Sequence, residues 1–132
     1  MQRLRNLTLH MQGERERVVA AQAGFELRTE PEGVELGTAE QELAGAAETL
    51  AARLAECSAA GDAALVGGYT ALWITALDLL ARRNIKRPQL CYFSTLRKRD
   101  VHGRFVFEPL GVERIPVADS PPGNGAKGPE PK

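Results

Sequence analysis

The chain has 132 residues, of which 43% are hydrophobic and 26% charged, and these proportions are ordinary for a globular domain with its own core. Its 17 basic and 17 acidic side chains balance, which excludes bulk attraction to a polyanion as the basis of binding. Residues 1–61 carry six basic and ten acidic side chains, a net charge of −4, whereas residues 62–116 carry nine and five, a net charge of +4. An anionic partner is therefore expected to meet the second half.

The cysteines and the apolar segments indicate the compartment. Cys57 lies in a helical pattern and Cys91 in an apolar strand, so both are predicted to be small buried residues and not metal ligands or a disulfide. The first residues run directly into a strand pattern with no sign of a signal peptide, and no apolar stretch reaches membrane-spanning length. We therefore expect a cytoplasmic protein without a membrane partner.

The first half of the chain alternates strand and helix patterns. From Arg3 onward, alternate residues fall on two sides in a pattern of period two, which predicts a first strand that ends near Leu9 or His10. The second helix begins with a capping box at Thr38. Residues 34–36 fit either a strand extension or a loop. The predicted elements are a strand over residues 3–10, a helix over 13–23, a strand over 25–28 and a helix over 38–60.

The second half repeats the alternation and then changes character. A short apolar strand runs into Gly67 and Gly68, and the helix that follows is apolar over most of its circumference. The last strand is interrupted near Pro109, which is typical of a sheet edge. The predicted elements are a strand over residues 62–66, a helix over 70–84, a strand over 89–95, a charged connection over 96–103, a last strand over 104–116 and a disordered Pro/Gly-rich tail over 117–132.

This order of elements predicts an α/β fold in one domain, residues 1–116. Strands that alternate with helices form a parallel sheet with helices on both faces, so we expect a Rossmann-like three-layer sandwich. The final pair of strands is expected to add an antiparallel edge strand to the mostly parallel sheet.

Polar or flexible residues follow three of the predicted strands, and ligands of open α/β sheets bind beyond such carboxyl ends. Glycines let backbone amides approach a ligand, and the start of the next helix adds unpaired N–H groups and a positive dipole. This combination predicts a phosphate or nucleotide site. Its candidate residues are Asn6, Thr8 and His10 after the first strand, Gly67, Gly68, Tyr69 and Thr70 after the third, and Ser94, Thr95, Arg97, Lys98 and Arg99 after the fourth.

Each candidate also has a structural alternative. His10 at a strand end fits a hydrogen-bonding role, residues 97–99 fit a solvated loop, and Ser94 with Thr95 fits a turn. Trp73, in an apolar helix, is predicted to be core. The chain has no GxGxxG, no P-loop and no zinc or redox motif, so neither a dinucleotide nor a metal is expected.

Four segments together resemble the small CRISPR-associated proteins that consist of a lone CARF-like domain. They are Asn6–His10, Ala64–Gly68, Leu90–Ser94 and Phe105–Phe107, and the likeness covers residues 1–116 in layout more than in identity. The resemblance implies a ring nuclease that binds and degrades a cyclic oligoadenylate, such as cyclic tetraadenylate, the second messenger of type III CRISPR immunity. It implies no metal and no cofactor, because the ribose 2′-hydroxyl attacks the neighbouring phosphate.

The resemblance also implies a homodimer and assigns roles by position. The helix over residues 70–84 would form the dimer surface, and long nucleic acid is not an implied partner. Thr8 and His10 would lie beneath the cyclic nucleotide, residues 67–70 would hold its phosphates, and Arg97 with Lys98 would close over it. His10 and Arg97 are the catalytic candidates. Two alternatives stay open: a sensor or sponge that binds the nucleotide without cutting it, and a dimeric α/β accessory protein without any nucleotide.

Overall fold

The computed structural model describes residues 1–36 and 40–116. The predicted capping residue Thr38 and the predicted tail, residues 117–132, lie outside this part of the chain. Strands and helices alternate up to the last two strands. The elements are β1 (Gln2–Asn6), α1 (Glu14–Gln22), β2 (Phe25–Leu27), α2 (Glu40–Ala60), β3 (Ala63–Leu65), α3 (Thr70–Arg82), β4 (Leu90–Arg99) and β5 (Phe105–Ile115).

Five strands form one sheet in the order β2-β1-β3-β4-β5. The first four strands are parallel, and β5 pairs with β4 in the antiparallel direction at the edge. Leu4 of β1 is level with Leu27 and with Ala63, and Leu65 of β3 is level with Cys91 of β4. The predicted α/β class, with a mostly parallel sheet and an antiparallel edge strand, is confirmed.

Helices cover both faces of the central strands. Leu4 of β1 packs on the α1 side of the sheet, and Leu7, the residue after β1, packs on the opposite side with α2 and α3. The α1 side is filled mainly by large side chains from the strands, such as Phe25, which is fully buried. The α2 side packs alanines and leucines of the helix onto the sheet, including Leu54. No helix within the described residues has the length and apolar character needed to cross a membrane.

Helix α3 buries most of its large apolar side chains within the fold. Leu72, Trp73, Ala76 and Leu80 are buried against the sheet and α2. Ile74 is the large apolar residue of this helix that stays exposed, at 64%. The core position predicted for Trp73 is confirmed, and the dimer surface on this helix stays a prediction.

Strand β4 is longer than the sequence pattern predicts. It continues through the charged residues to Arg99, so the predicted connection over residues 96–103 is wrong. Cross-strand pairing with β5 supplies its hydrogen bonds, and this pairing is not visible in the local sequence. Beyond the Ser94–Gly111 pair, the two strands form a hairpin that we call the arm, residues 94–111. Within the described chain, no third strand pairs with the arm.

The arm ends in a tight turn and contains one irregularity. Asp100 accepts hydrogen bonds from the amides of His102 and Arg104, both at 2.9 Å, and Gly103 adopts a φ of 79°. The register shifts between Ser94 and Thr95. Ser94 pairs with Gly111 and Thr95 pairs with Pro109, so Leu110 of β5 has no partner opposite it on β4. The predicted interruption near Pro109 is therefore confirmed as a β-bulge.

Candidate functional site

The order of the strands creates a crevice at the carboxyl edge of the sheet. Strands β1 and β3 are neighbours, but the chain leaves β1 toward α1 on one face and β3 toward α3 on the other. The two loops diverge there, and open α/β sheets bind ligands at such a point. The loops touch at their bases, because a Cβ on Gly67 would lie 2.8 Å from Cγ2 of Thr8. We call residues 8–10 and 67–70 the β1/β3 crevice.

Asn6 ends β1 and holds the loop that follows. It is fully buried, and its side-chain amide donates to the carbonyls of His10 (2.8 Å) and Thr29 (2.9 Å). Its Oδ1 accepts hydrogen bonds from the amide and the hydroxyl of Thr8. The strand therefore stops at Asn6, and the prediction that it reaches Leu9 or His10 is wrong. Because internal partners occupy these groups, Asn6 acts as a support for the site.

Thr8 belongs to the same network and presents His10 to solvent. Its hydroxyl lies 2.6 Å from Oδ1 of Asn6 and accepts a hydrogen bond from the His10 amide at 3.2 Å. Thr8 is buried, whereas His10 is exposed. The backbone of His10 is thus fixed on both sides while its imidazole stays available to a ligand.

The segment that follows β2 supports the crevice from behind. The amide of Glu32 donates to the Asn6 carbonyl (2.7 Å), and the amide of Gly33 donates to the Thr8 carbonyl (3.0 Å). Arg53 of α2 donates to the carbonyls of Glu32 and Gly33. A Cβ on Gly33 would collide with the Thr8 carbonyl, so this position requires glycine. The Pro31–Gly33 turn residues were the available signal, but their partners are distant in sequence.

An ion pair locks this segment to the sheet. Arg5 of β1 lies 2.6 Å from Glu32, and the hydrogen bond that it donates to this carboxylate raises the pKa of the Arg5 guanidinium. A second carboxylate, from Glu56 of α2, lies 3.3 Å from the same Arg5 nitrogen. The charge of Arg5 is therefore used inside the fold and is not offered to a ligand.

Helix α3 begins at the crevice with an open first turn. Its N-cap residue, Tyr69, has extended backbone, and among the described residues no side chain caps this helix. Gly68 adopts a φ of 104°, which favours glycine, and residues 68–70 are exposed. Trp73 donates its indole N–H to the Gly67 carbonyl at 2.8 Å and so fixes the loop. The first-turn amides, with the positive end of the helix dipole, form a place for an anion.

The start of α1 shows what an occupied helix end looks like. Glu14 and Glu16 lie in its first turn, and a carboxylate oxygen of Glu16 accepts the Gly13 amide at 2.8 Å. The first turn of α3 contains no acidic residue. Of these two helix ends at the carboxyl edge, only the start of α3 leaves room for an external anion.

The candidate residues of β4 do not join the crevice within one chain. Cys91 is level with the end of β3, and Arg97 follows six residues later, about 20 Å further along the strand. Ser94 and Thr95 lie inside β4 and not at its end, and the Ser94 hydroxyl contacts the Gly111 carbonyl at 3.3 Å. The structure thus brings residues 8–10 and 67–70 together and places residues 94–99 on the arm.

The cations of the arm have partners of their own. Lys98 lies 2.6 Å from a carboxylate oxygen of Glu108, and this hydrogen bond lowers the pKa of that carboxyl. Arg97 and Arg99 both lie over the ring of Phe105. Sequence reasoning did not single out Phe105 as part of a site, because its contact with Arg97 depends on the register of β4 and β5.

A cleft also lies beyond the end of β2. It measures about 450 Å³ and is lined by Arg17 and residues 27–32, and it does not include the β1/β3 crevice. Both cysteines are buried, and burial raises the pKa of each thiol to about 11. Residues 1–36 and 40–116 contain no group of three or more His, Cys, Asp or Glu side chains that could hold a metal ion.

Comparison of the chain with family models, with curated proteins and with solved structures found no similar protein.

Proposed function

We propose that this chain binds a cyclic oligoadenylate at the β1/β3 crevice and belongs to the Rossmann-like, CARF-like class of ring nucleases. The observation that carries the proposal is the meeting of two divergent loops beside a helix start without a cap or an acidic residue. Phosphate groups would accept hydrogen bonds from the amides of Gly68, Tyr69 and Thr70, which are exposed. The positive end of the helix dipole would stabilise the bound phosphate, and this interaction needs no metal.

His10 is the catalytic residue of this proposal. Its imidazole is exposed at the crevice, and its backbone is held by Asn6 and Thr8, so the ring stands on a fixed base. A neutral imidazole can accept the proton of a ribose 2′-hydroxyl as that oxygen attacks the adjacent phosphorus. The P–O5′ bond then breaks, which leaves a 2′,3′-cyclic phosphate, and the 5′-oxygen takes a proton. The amides of residues 68–70 would stabilise the charge of the transition state.

Arg97 can take part only from outside the chain that carries the crevice. It lies about 20 Å along β4 beyond the level at which β3 ends, so we assign its proposed catalytic role to the arm of a second copy. This requirement agrees with the expected homodimer. Arg97 and Lys98 are therefore proposed as contributions of the second subunit.

A matched pair of substitutions at the helix start tests the binding proposal. Thr70→Glu places a negative charge where the phosphate would bind, and it favours the helix because an acid suits its N-terminus. Thr70→Gln has nearly the same size and no charge. With labelled cyclic tetraadenylate, we expect Thr70→Glu to lose at least about tenfold in affinity and Thr70→Gln to stay near the wild type. Equal affinity of the two variants contradicts a phosphate site at this helix.

The products separate the remaining alternatives. Linear product from the wild type, strongly reduced in His10→Ala with affinity retained, identifies a nuclease. Retention of intact cyclic nucleotide identifies a sensor or sponge. If neither binding nor cleavage occurs with cyclic tri-, tetra- or hexaadenylate, the nucleotide proposal fails and the accessory protein without nucleotide is favoured.

A further inference from the structure

One face of the arm combines two arginines with two phenylalanines. Arg97 pairs across the strands with Phe107, and Arg99 pairs with Phe105. Residues paired in this way share a face of the ribbon, so these four side chains lie together. The guanidinium carbon of Arg97 lies 3.8 Å from the centre of the Phe105 ring, and that of Arg99 lies 4.5 Å from it. We call these four residues the Arg/Phe face.

The Arg/Phe face is open to solvent. Phe107 is 65% exposed and Phe105 is 48% exposed. A contiguous group of exposed apolar side chains bordered by polar ones is typical of an interaction surface. None of the four residues of the Arg/Phe face belongs to either buried core cluster of the described chain. The face is therefore a surface for contact and contributes little to the core.

The charge of this face is positive and unneutralised. Within the described chain, neither Arg97 nor Arg99 lies within 4 Å of a carboxylate. The two acidic residues of the arm are engaged elsewhere, Asp100 with the turn amides and Glu108 with Lys98. A second copy of the same face would oppose arginines to arginines, so charge disfavours self-association here.

Cations next to exposed aromatic rings match the chemistry of a single-stranded nucleic acid. Bases stack on the rings, and guanidinium groups contact the phosphates and also stack on bases. Phe105 and Phe107 are two residues apart on one strand, about 6.8 Å along it. This spacing is about twice the 3.4 Å rise per nucleotide within a duplex strand, so an extended single strand suits it better.

We propose that the Arg/Phe face of the arm binds a short single-stranded oligonucleotide. Phe107 stacks on a base, while the Phe105 ring holds the guanidinium groups of Arg97 and Arg99, which contact the neighbouring phosphates. The footprint is a few nucleotides long, because the arm extends only from the Ser94–Gly111 pair to the turn at Gly103. Within one chain this site lies apart from the β1/β3 crevice. It shares Arg97 with the role proposed for the arm at the crevice of a second copy, but oligonucleotide binding does not depend on that role.

Fluorescence anisotropy with labelled eight-nucleotide strands tests the proposal on the full chain. The probes are oligo(A) and oligo(U) RNA and oligo(dT), which distinguish RNA from DNA as the ligand. We expect Phe107→Leu to weaken binding about tenfold, because it removes stacking but keeps an apolar residue suited to a strand. Arg97→Gln should weaken binding and reduce the slope of log K against log salt by about 0.7. Lys86→Gln, the same loss of charge in the exposed loop before β4, serves as the control and should change affinity less than twofold.

Several outcomes overturn this proposal. Unchanged affinity in Phe107→Leu would exclude the stacking role. A loss of affinity in Lys86→Gln equal to that in Arg97→Gln would show that charge alone attracts the strand. Poly-glutamate that competes as well as the oligonucleotide at equal charge indicates an acidic protein partner. A wild-type dimer in sedimentation that Phe107→Leu converts to a monomer assigns the face to self-association. Thr70→Glu should keep the affinity for oligonucleotides, which distinguishes a failure here from a failure at the crevice.

Discussion

The arm differs from the rest of the fold, which we call the body and which contains the parallel strands and their helices. In the body, Leu4, Ala63 and Ala64 are fully buried, with helices on both faces. In the arm, Leu96, Phe105 and Phe107 remain substantially exposed. Parallel neighbours require a crossover, and the crossover helix covers the sheet, whereas a hairpin needs only a turn. The body therefore supplies stability, and the arm supplies surface.

Thiol chemistry gives the largest expected contrast between the two regions. Cys57 and Cys91 are fully buried in the body, and burial raises the pKa of each thiol to about 11. At pH 8 the thiolate fraction is then roughly 200-fold below that of a free cysteine, before any steric protection. A cysteine introduced by Leu96→Cys on the arm should react with a disulfide reagent at nearly the free rate. Fast reaction of the native wild type, equal to that in denaturant, would contradict this contrast.

Two leucine truncations compare packing directly. Leu54→Ala removes a fully buried side chain of α2 and should cost about 3 kcal/mol in the free energy of unfolding. Leu96→Ala makes the same change on the arm, where the side chain is 45% exposed, and should cost less than about 1 kcal/mol. Chemical denaturation followed by circular dichroism measures both. Similar losses in the two variants would mean that the arm is packed as tightly as the body.

Two glycines sharpen the comparison within the body. Gly33→Ala should destabilise the fold by about 1–3 kcal/mol, because the new methyl group meets the Thr8 carbonyl behind the crevice. Gly45→Ala, where nothing lies within 4 Å, should stabilise α2 by about 0.5–1 kcal/mol. Thermal unfolding with the same protein batch detects the opposite signs. Stabilisation by both substitutions would contradict the close contact between Gly33 and the Thr8 carbonyl.

The smallest expected effect is electrostatic and joins the arm to the body. Lys98 lowers the pKa of the Glu108 carboxyl, and Arg15 of α1 adds to the shift. A lowered pKa means that the interaction is complete above the ordinary carboxyl pKa and is lost as pH falls through the lowered value. In a carbon-13 titration, Lys98→Gln should move the Glu108 midpoint upward, toward the ordinary range of a glutamate. An unchanged midpoint would show that the two side chains do not pair in solution.

Local patterns in the sequence predict the body well and the arm poorly. The strand before Gly67 and the helix after Thr70 are recognisable because their apolar periodicity is local. The run Leu96-Arg97-Lys98-Arg99 has no such signal, since its strand conformation depends on pairing with residues 105–108. The hydrogen bonds that support the crevice are equally hard to predict from local sequence. The bonds from Asn6 to Thr29 and from Arg53 to Glu32 join residues 21 to 23 positions apart.

The position of the chain's single tryptophan gives the crevice a built-in optical reporter. The indole N–H of Trp73 is bonded to the carbonyl of Gly67, the first glycine of the loop that would contact a ligand. A change in that loop alters the polarity around the indole, and hence the colour and intensity of its emission. Occupancy can thus be followed in the unlabelled wild-type protein without adding a fluorophore.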